Sequence, residues 1–206
     1  MITRESQQMF NFAPRMKLQR IALFISGNGS NARNISDFFQ NHTQIRVGLI
    51  LSSTQNPLMN EFCVEQNIPF VVLNHMESDA YLSVCQEQEI NWVILAGFLK
   101  KIPEAFIDAF PNRIINVHPA LLPRFGGKGM YGKHVHEAVS KSTVHYSGIT
   151  IHLVNEEFDK GMILAQYAFS LKNRSSPEAI ESHVRILEMK YFPRVIESVI
   201  QAEIIE

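Results

Sequence analysis

The stretch IALFISGNGSN, residues 21–31, decides the fold. Ile21, Ala22, Leu23, Phe24 and Ile25 run without a polar break into a loop of Gly, Asn and Ser. A strand that is apolar at every position needs cover on both faces, which is the situation of an interior strand of a parallel sheet. The loop Gly27-Asn28-Gly29-Ser30-Asn31 then leads into a helical pattern. Glycines let a backbone approach a ligand closely, and a helix N-terminus offers unpaired N–H groups and a partial positive charge. Two readings stand open at this point: a cradle for phosphate, or a tight strand-to-helix turn with Ser30 as N-cap. The loop is neither GxGxxG nor GxxxxGK[ST], so the dinucleotide and nucleoside-triphosphate readings have no support.

The same texture continues outward. Further strands are expected at 45–51, 69–73, 91–95 and 113–117, and helices at 30–40, 57–67, 78–89 and 103–109. Pro57 and Pro103 sit where a first helical turn tolerates proline. Alternation of this kind implies right-handed crossovers and a parallel sheet. Beyond residue 118 the irregular run HPALLPRFGGKGMYGKH intervenes, followed by a short helix over 133–140 and strands at 147–154 and 162–171. A last helix is expected from Ser176 and Pro177, with an apolar stripe of Ile180, Val184, Leu187, Tyr191, Val195 and Val199. Pro193 should kink it or weaken one of its hydrogen bonds. The fold class is α/β: one domain over 18–206, a twisted, mostly parallel sheet with helices on both faces and an antiparallel strand late in the chain. Residues 1–17 have no period and are expected to form a flexible tail.

Composition narrows the function. Apolar residues make up 46% of the 206, enough for a sizeable core. The 19 Lys and Arg are balanced by 20 Asp and Glu, so there is no basic excess of the kind that binds nucleic acid or a membrane surface. Cys63 and Cys85 fall among apolar residues of helices and read as buried, reduced thiols. The N-terminus has no continuous apolar segment, so the expected location is the cytoplasm.

Two further stretches carry chemistry. In RIINVHPALLP, Asn116 and His118 lie two apart at the end of a strand, so both project to one face. The carboxyl ends of parallel strands are where open α/β sheets bind ligands. An amide donor beside a titratable imidazole suits acyl transfer: one holds a developing oxyanion, the other moves a proton. In NEEFDKGMIL, an acidic loop turns at Gly161. Asp159 is either a solvated surface carboxylate or the partner that orients His118 and favours its protonated form. His134 and His136 form an H-x-H pair, but no second cluster has zinc-ligand spacing, so they read as a loop entering a helix and no metal is expected.

ISGNGSN, LAGFLKKI, INVHPALLP and FDKG, in this order and spacing, resemble the phosphoribosylglycinamide formyltransferases, and the resemblance covers about residues 18–200. It implies formyl transfer from 10-formyltetrahydrofolate, as co-substrate, to the amine of glycinamide ribonucleotide, by a monomer or homodimer. Asn116, His118 and Asp159 would be the catalytic trio. Gly29, Ser30 and Asn31 would hold the ribonucleotide phosphate, with Arg185 and Glu188 contacting the same substrate. Leu99, Lys100, Lys101 and Ile102 would line the folate pocket together with Asn116 and the loop of Asn155, Glu156, Glu157, Phe158 and Asp159. The chain departs from the pattern in three places. The loop after HPALLP is longer, the arginine expected between Leu73 and Tyr81 to meet the folate tail has no counterpart, and Lys160 follows Asp159 where many members have glycine. The rivals are a formyltransferase acting on methionyl-tRNA or an amino-sugar nucleotide, a formyltetrahydrofolate hydrolase, and a silent folate- or nucleotide-binding protein. The absent basic surplus argues against tRNA, and the intact trio argues against the silent binder.

Overall fold

The computed structural model describes residues 18–74, 78–171 and 176–205. The expected tail over 1–17 lies outside them, as do residues 75–77 of the segment that lacks the folate-tail arginine. Seven strands form one sheet in the order β3-β2-β1-β4-β5-β6-β7. They are β1 (Gln19–Ile25), β2 (Ile45–Ser52), β3 (Phe70–Val72), β4 (Trp92–Leu95), β5 (Ile114–His118), β6 (Tyr146–Leu153) and β7 (Ile163–Ser170). The first five are parallel; β6 runs antiparallel to β5, and β7, antiparallel to β6, runs in the direction of the first five, so β6 is the late antiparallel strand that the sequence reading expected. The helices among the described residues are α1 (Ser30–Phe39), α2 (Pro57–Gln66), α3 (Ser78–Glu87), α4 (Glu104–Ala109), α5 (Lys133–Lys141) and α6 (Pro177–Ile205).

Two cores sandwich the sheet. Ile21, Leu23 and Ile25 pack toward α1, α2, α5 and α6, while Ala22 and Phe24 pack toward α3 and α4. The unbroken apolar run of β1 therefore serves both faces, as its composition requires. Phe24 is fully buried and meets Tyr81 and Phe98 edge to face. Burying one such ring contributes about 1.5–3 kcal/mol, more than an exposed ion pair such as Arg113–Glu203 supplies at about 0–1. The cysteines are buried and free. Burial pushes the Cys63 thiol up to about 11 despite the Arg33 charge, and that of Cys85 up to about 12, so both stay protonated.

α6 continues through Pro193. Its buried apolar residues are Ile180, Val184, Phe192, Val195, Ile196 and Ile200, so Val195 of the expected stripe is buried, while beyond Leu187 the deepest line lies one position later than that stripe. The reason is Tyr191, which sits at the margin and stacks on Tyr167 of β7 with 3.8 Å between ring centroids.

Strand order reverses between β1 and β4, and the loops leaving their carboxyl ends splay apart there, opening the crevice of a doubly wound sheet. Ser26 joins these loops. Its hydroxyl accepts from Leu99 N at 3.0 Å and from Ser53 Oγ at 2.8 Å. On the far side, Gly161 closes the β6–β7 connection. A Cβ there would fall on the backbone carbonyl of Leu153, whose own N–H donates to Met162 O at 2.9 Å.

Gly161→Ala should therefore destabilise the protein by about 1–3 kcal/mol through overpacking against backbone that cannot move aside. Gly27→Ala, at a position with nothing within 4 Å of the added carbon, should stay within about 0.5 kcal/mol of the parent. Urea midpoints compare the two; equal midpoints would mean the β6–β7 turn is looser than described.

Candidate active site

The crevice at the reversal point holds a cavity of about 560 Å³, the size of a small-molecule site. Three segments predicted from sequence meet there. Asn28 comes from the loop after β1 and Ser30 and Asn31 from the first turn of α1, Leu99, Lys100, Lys101 and Ile102 from the loop after β4, and Asn116 and His118 from the end of β5. The 155–159 loop, Arg185 and Glu188 close it from the other side.

Gly29 is the exception. It does not line the wall. It occupies the N-cap position of α1 with φ 72°, and no side chain caps the helix, so Ser30 is the first helical residue and not the cap. A Cβ on Gly29 would run into Met59 and sit 3.3 Å from Ile25 Cδ1. The glycine makes room for Met59 and supplies the left-handed turn that starts the helix.

His118 is 3% exposed. Its Nε2 lies 2.8 Å from the Phe125 carbonyl, to which it must donate, and its Nδ1 lies 3.5 Å from Asp159 Oδ2. Both ring nitrogens thus face protein oxygens. Asp159 sits in the left-handed region at φ 57° and accepts from Gly127 N at 2.8 Å. Burial pushes its carboxyl up, but the contact and charge of His118, the Gly127 N–H and His152 together hold it below the usual range. A carboxylate that stays charged beside an imidazole is the pairing expected of an orienting partner.

His152 was not singled out in the sequence. It lies on β6 directly opposite Asn116 in the antiparallel register. Burial lowers its pKa, which the Leu153 carbonyl and Asp159 only partly offset, so the ring is neutral. Its Nδ1 is 2.8 Å from Leu153 O and carries the proton; Nε2 is then a lone pair, 3.1 Å from Asn116 Nδ2. That bond fixes which end of the Asn116 amide is the donor. The second N–H of the amide has no partner among the described residues and is available to a ligand. Thr150, opposite His118, is a second residue the sequence did not flag. Its hydroxyl donates to Ala120 O at 2.7 Å and accepts from Leu122 N at 2.9 Å, which shapes the chain leaving β5.

His136 also escapes the bland reading it received. It lies on α5, is 4% exposed, and its ring lines the cavity. Burial lowers its pKa, with Glu181 opposing and His118 adding, and its Nδ1 has no hydrogen-bond partner among the described residues. His134 is exposed and meets Tyr131 edge to face. Among the described residues no group of three or more His, Cys, Asp or Glu converges to hold a metal. Glu188 accepts from Asn31 Nδ2 at 2.8 Å. Burial raises its pKa, and Asn31 and nearby positive charge only partly compensate, so the ionised form lacks a close cation.

Comparison with known proteins agrees with this geometry. The formyl transferase family model matches residues 19–196. The chain is 38% identical over 200 residues to the chloroplastic phosphoribosylglycinamide formyltransferase of Arabidopsis thaliana, covering 93% of this chain and 68% of that one. The corresponding enzyme of Vigna unguiculata is 33% identical, with 92% and 64% covered. Among solved structures, phosphoribosylglycinamide formyltransferase from Anaplasma phagocytophilum superposes with a TM-score of 0.81 at 28% identity, covering 90% of this chain and 89% of that one. The Bacillus halodurans enzyme gives 0.77 at 29%, with 88% and 95% covered.

The two neutral histidines make stability pH-dependent in a defined direction. Their folded pKa values lie below the unfolded value of about 6.5. Below that pH the unfolded chain binds protons that the folded chain refuses, so stability falls with acidification by at most about 1.4 kcal/mol per pH unit for each ring. Asp159 acts in the same sense at lower pH, its contribution being lost as pH falls through its depressed value. Glu188 acts in the opposite sense, because its raised value makes acid relieve its burial. Melting temperatures should drop from pH 7.5 to 5.5, and His136→Phe should flatten the drop. An unchanged slope in that variant would mean His136 takes up its proton in the folded state.

Proposed function

We infer the activity from the premise that this chain belongs to the formyl transferase family: it transfers the formyl group of 10-formyltetrahydrofolate to the amine of 5-phosphoribosyl-glycinamide, a step of purine synthesis. The observation that supports this reading most is the convergence of Asn116, His118 and Asp159 on one cavity, with His152 fixing the Asn116 amide as a donor.

The chemistry follows from that arrangement. The amine attacks the formyl carbon and a new N–C bond forms. The carbonyl oxygen gains charge, and the unpaired N–H of Asn116 together with the His118 ring stabilises it. His118 delivers a proton to the departing folate nitrogen as its bond to the formyl carbon breaks. Asp159 holds the ring and, through water, helps take the proton that the amine loses.

Charge divides the cavity between the two substrates. Ser30, Asn31 and the N-terminus of α1 receive the phosphate, with Arg185 beside them. Glu188, buried without a close cation, receives the amine. The apolar walls of Leu95, Ile102, Val117 and Val154, with backbone of the 155–159 loop, suit the flat pterin, and Leu99 and Phe158 stand exposed near the mouth. Lys101 lies 5.9 Å over the Phe158 ring and links the two sides of that mouth. No described helix is long and apolar enough to cross a membrane. The sequence reading expects the cytoplasm, whereas the two plant relatives are named as chloroplastic, and a fluorescent fusion distinguishes the two.

The deciding assay is purified protein with 10-formyltetrahydrofolate, with and without glycinamide ribonucleotide, followed by folate absorbance. Deformylation should require the ribonucleotide; turnover with water alone would point to a hydrolase. Asn116→Ala should lower kcat roughly 10²–10³-fold with little change in folate affinity, because the charge it meets develops only in the transition state.

His118→Ala and Asp159→Asn should each slow turnover, and the double variant should be about as slow as the worse single one, since both disable one unit. The measurement is kcat for all four proteins at saturating substrates. Costs that multiply in full would separate the two residues.

A further inference from the structure

Pro193 lies inside α6 and has no backbone N–H. In an uninterrupted helix that N–H would serve the carbonyl of Met189, four residues earlier. The Met189 carbonyl instead accepts from Asn34 Nδ2 of α1 at 2.8 Å. Three positions earlier on α1, and so on the same helix face, Asn31 Nδ2 donates to Glu188 Oε2 at 2.8 Å. Two side-chain amides of one helix therefore grip two consecutive residues of another, one through a carboxylate and one through a carbonyl that proline leaves open.

We propose that Asn34 is a positioning residue for the ribonucleotide. By capping the carbonyl opened by Pro193, it sets the register of α6 against α1 and holds the Glu188 carboxylate at the cavity wall where the substrate amine arrives. The proposal rests on Glu188 meeting that amine, as read above. Asn34 does not line the cavity, so it acts through the helix and touches no substrate. A neutral amide suits the task. It donates without bringing a charge toward Glu188, whereas an aspartate would set a second carboxylate against the carbonyl and leave both without a donor.

The test is a cycle of Asn34→Ala, Pro193→Ala and the double variant, read by steady-state kinetics and thermal melts. Alanine at 193 restores the missing N–H to Met189, so in that background Asn34 becomes dispensable. Asn34→Ala alone should raise the ribonucleotide KM about five- to tenfold, the scale of losing one donor to a half-buried carbonyl. The KM for 10-formyltetrahydrofolate and kcat should each move less than twofold. In the Pro193→Ala background the same change should move the ribonucleotide KM less than twofold.

A ribonucleotide KM that stays put while the melting temperature falls would make the bond merely structural and overturn the proposal. So would an equal KM rise in both backgrounds, because the opened carbonyl would then not be the route. Glu188→Gln, run in parallel, tests the underlying reading separately: an unchanged ribonucleotide KM there removes the amine contact and the positioning role with it. A raised KM there, with no effect of Asn34→Ala, rejects the positioning role alone. Should Asn34→Ala fold poorly, the double variant against Pro193→Ala, and Asn34→Asp, which should raise the ribonucleotide KM at least as much as the alanine, carry the same reading.

Discussion

The pairing of β5 with β6 is the contact on which the site depends. Parallel strands alone would bring Asn116 and His118 to the crevice with nothing to fix their side chains. The antiparallel neighbour places His152 opposite the first and Thr150 opposite the second. His152 makes the Asn116 amide a donor by giving its Nδ1 proton to the Leu153 carbonyl and presenting a lone pair. Thr150 ties down the chain that leaves His118. The turn that follows β6 then returns Asp159 to the His118 ring, and that return needs Gly161 because the backbone of Leu153 leaves no room for a Cβ.

The electrostatics of the cavity follow from the same arrangement. His152 and His136 are kept neutral by burial, while Asp159 is kept charged despite burial because His118, the Gly127 N–H and His152 together outweigh the desolvation. The charge of the trio is thereby confined to the His118–Asp159 pair. Glu188 is the second buried acid, on the opposite wall, and it is held by an amide and not by a cation. A cavity with an imidazole–carboxylate pair at one end and an acid held by an amide at the other matches a reaction that joins a formyl carbonyl to an amine.

Some of this was legible along the chain. The apolar runs marked the parallel strands to within two residues at most ends, since a strand covered on both faces has little freedom in composition. The Asn-x-His spacing placed two side chains on one face because strand periodicity is two. The proline and glycine positions at 57, 103 and 161 marked helix starts and a turn. By contrast, that the Gly29 hydrogen makes room for Met59 is a packing fact that no local pattern carries. The stripe of α6 was read one position off over its second half, because the Tyr191–Tyr167 stack sets which edge of the helix stays at the margin.

Sequence by itself determined the class of sheet, the Asn-x-His pair on one strand face and the loops that meet at the crevice, because those depend on local periodicity and on motifs whose spacing is short. Only the tertiary structure shows what His152, Thr150 and Asn34 touch. Each acts through a partner far away in the chain, Asn116 and His152 being 36 residues apart and Asn34 and Met189 155 apart. Register across a sheet and the seating of one helix on another are fixed by the whole packed core, and a residue's neighbours in sequence carry no record of them.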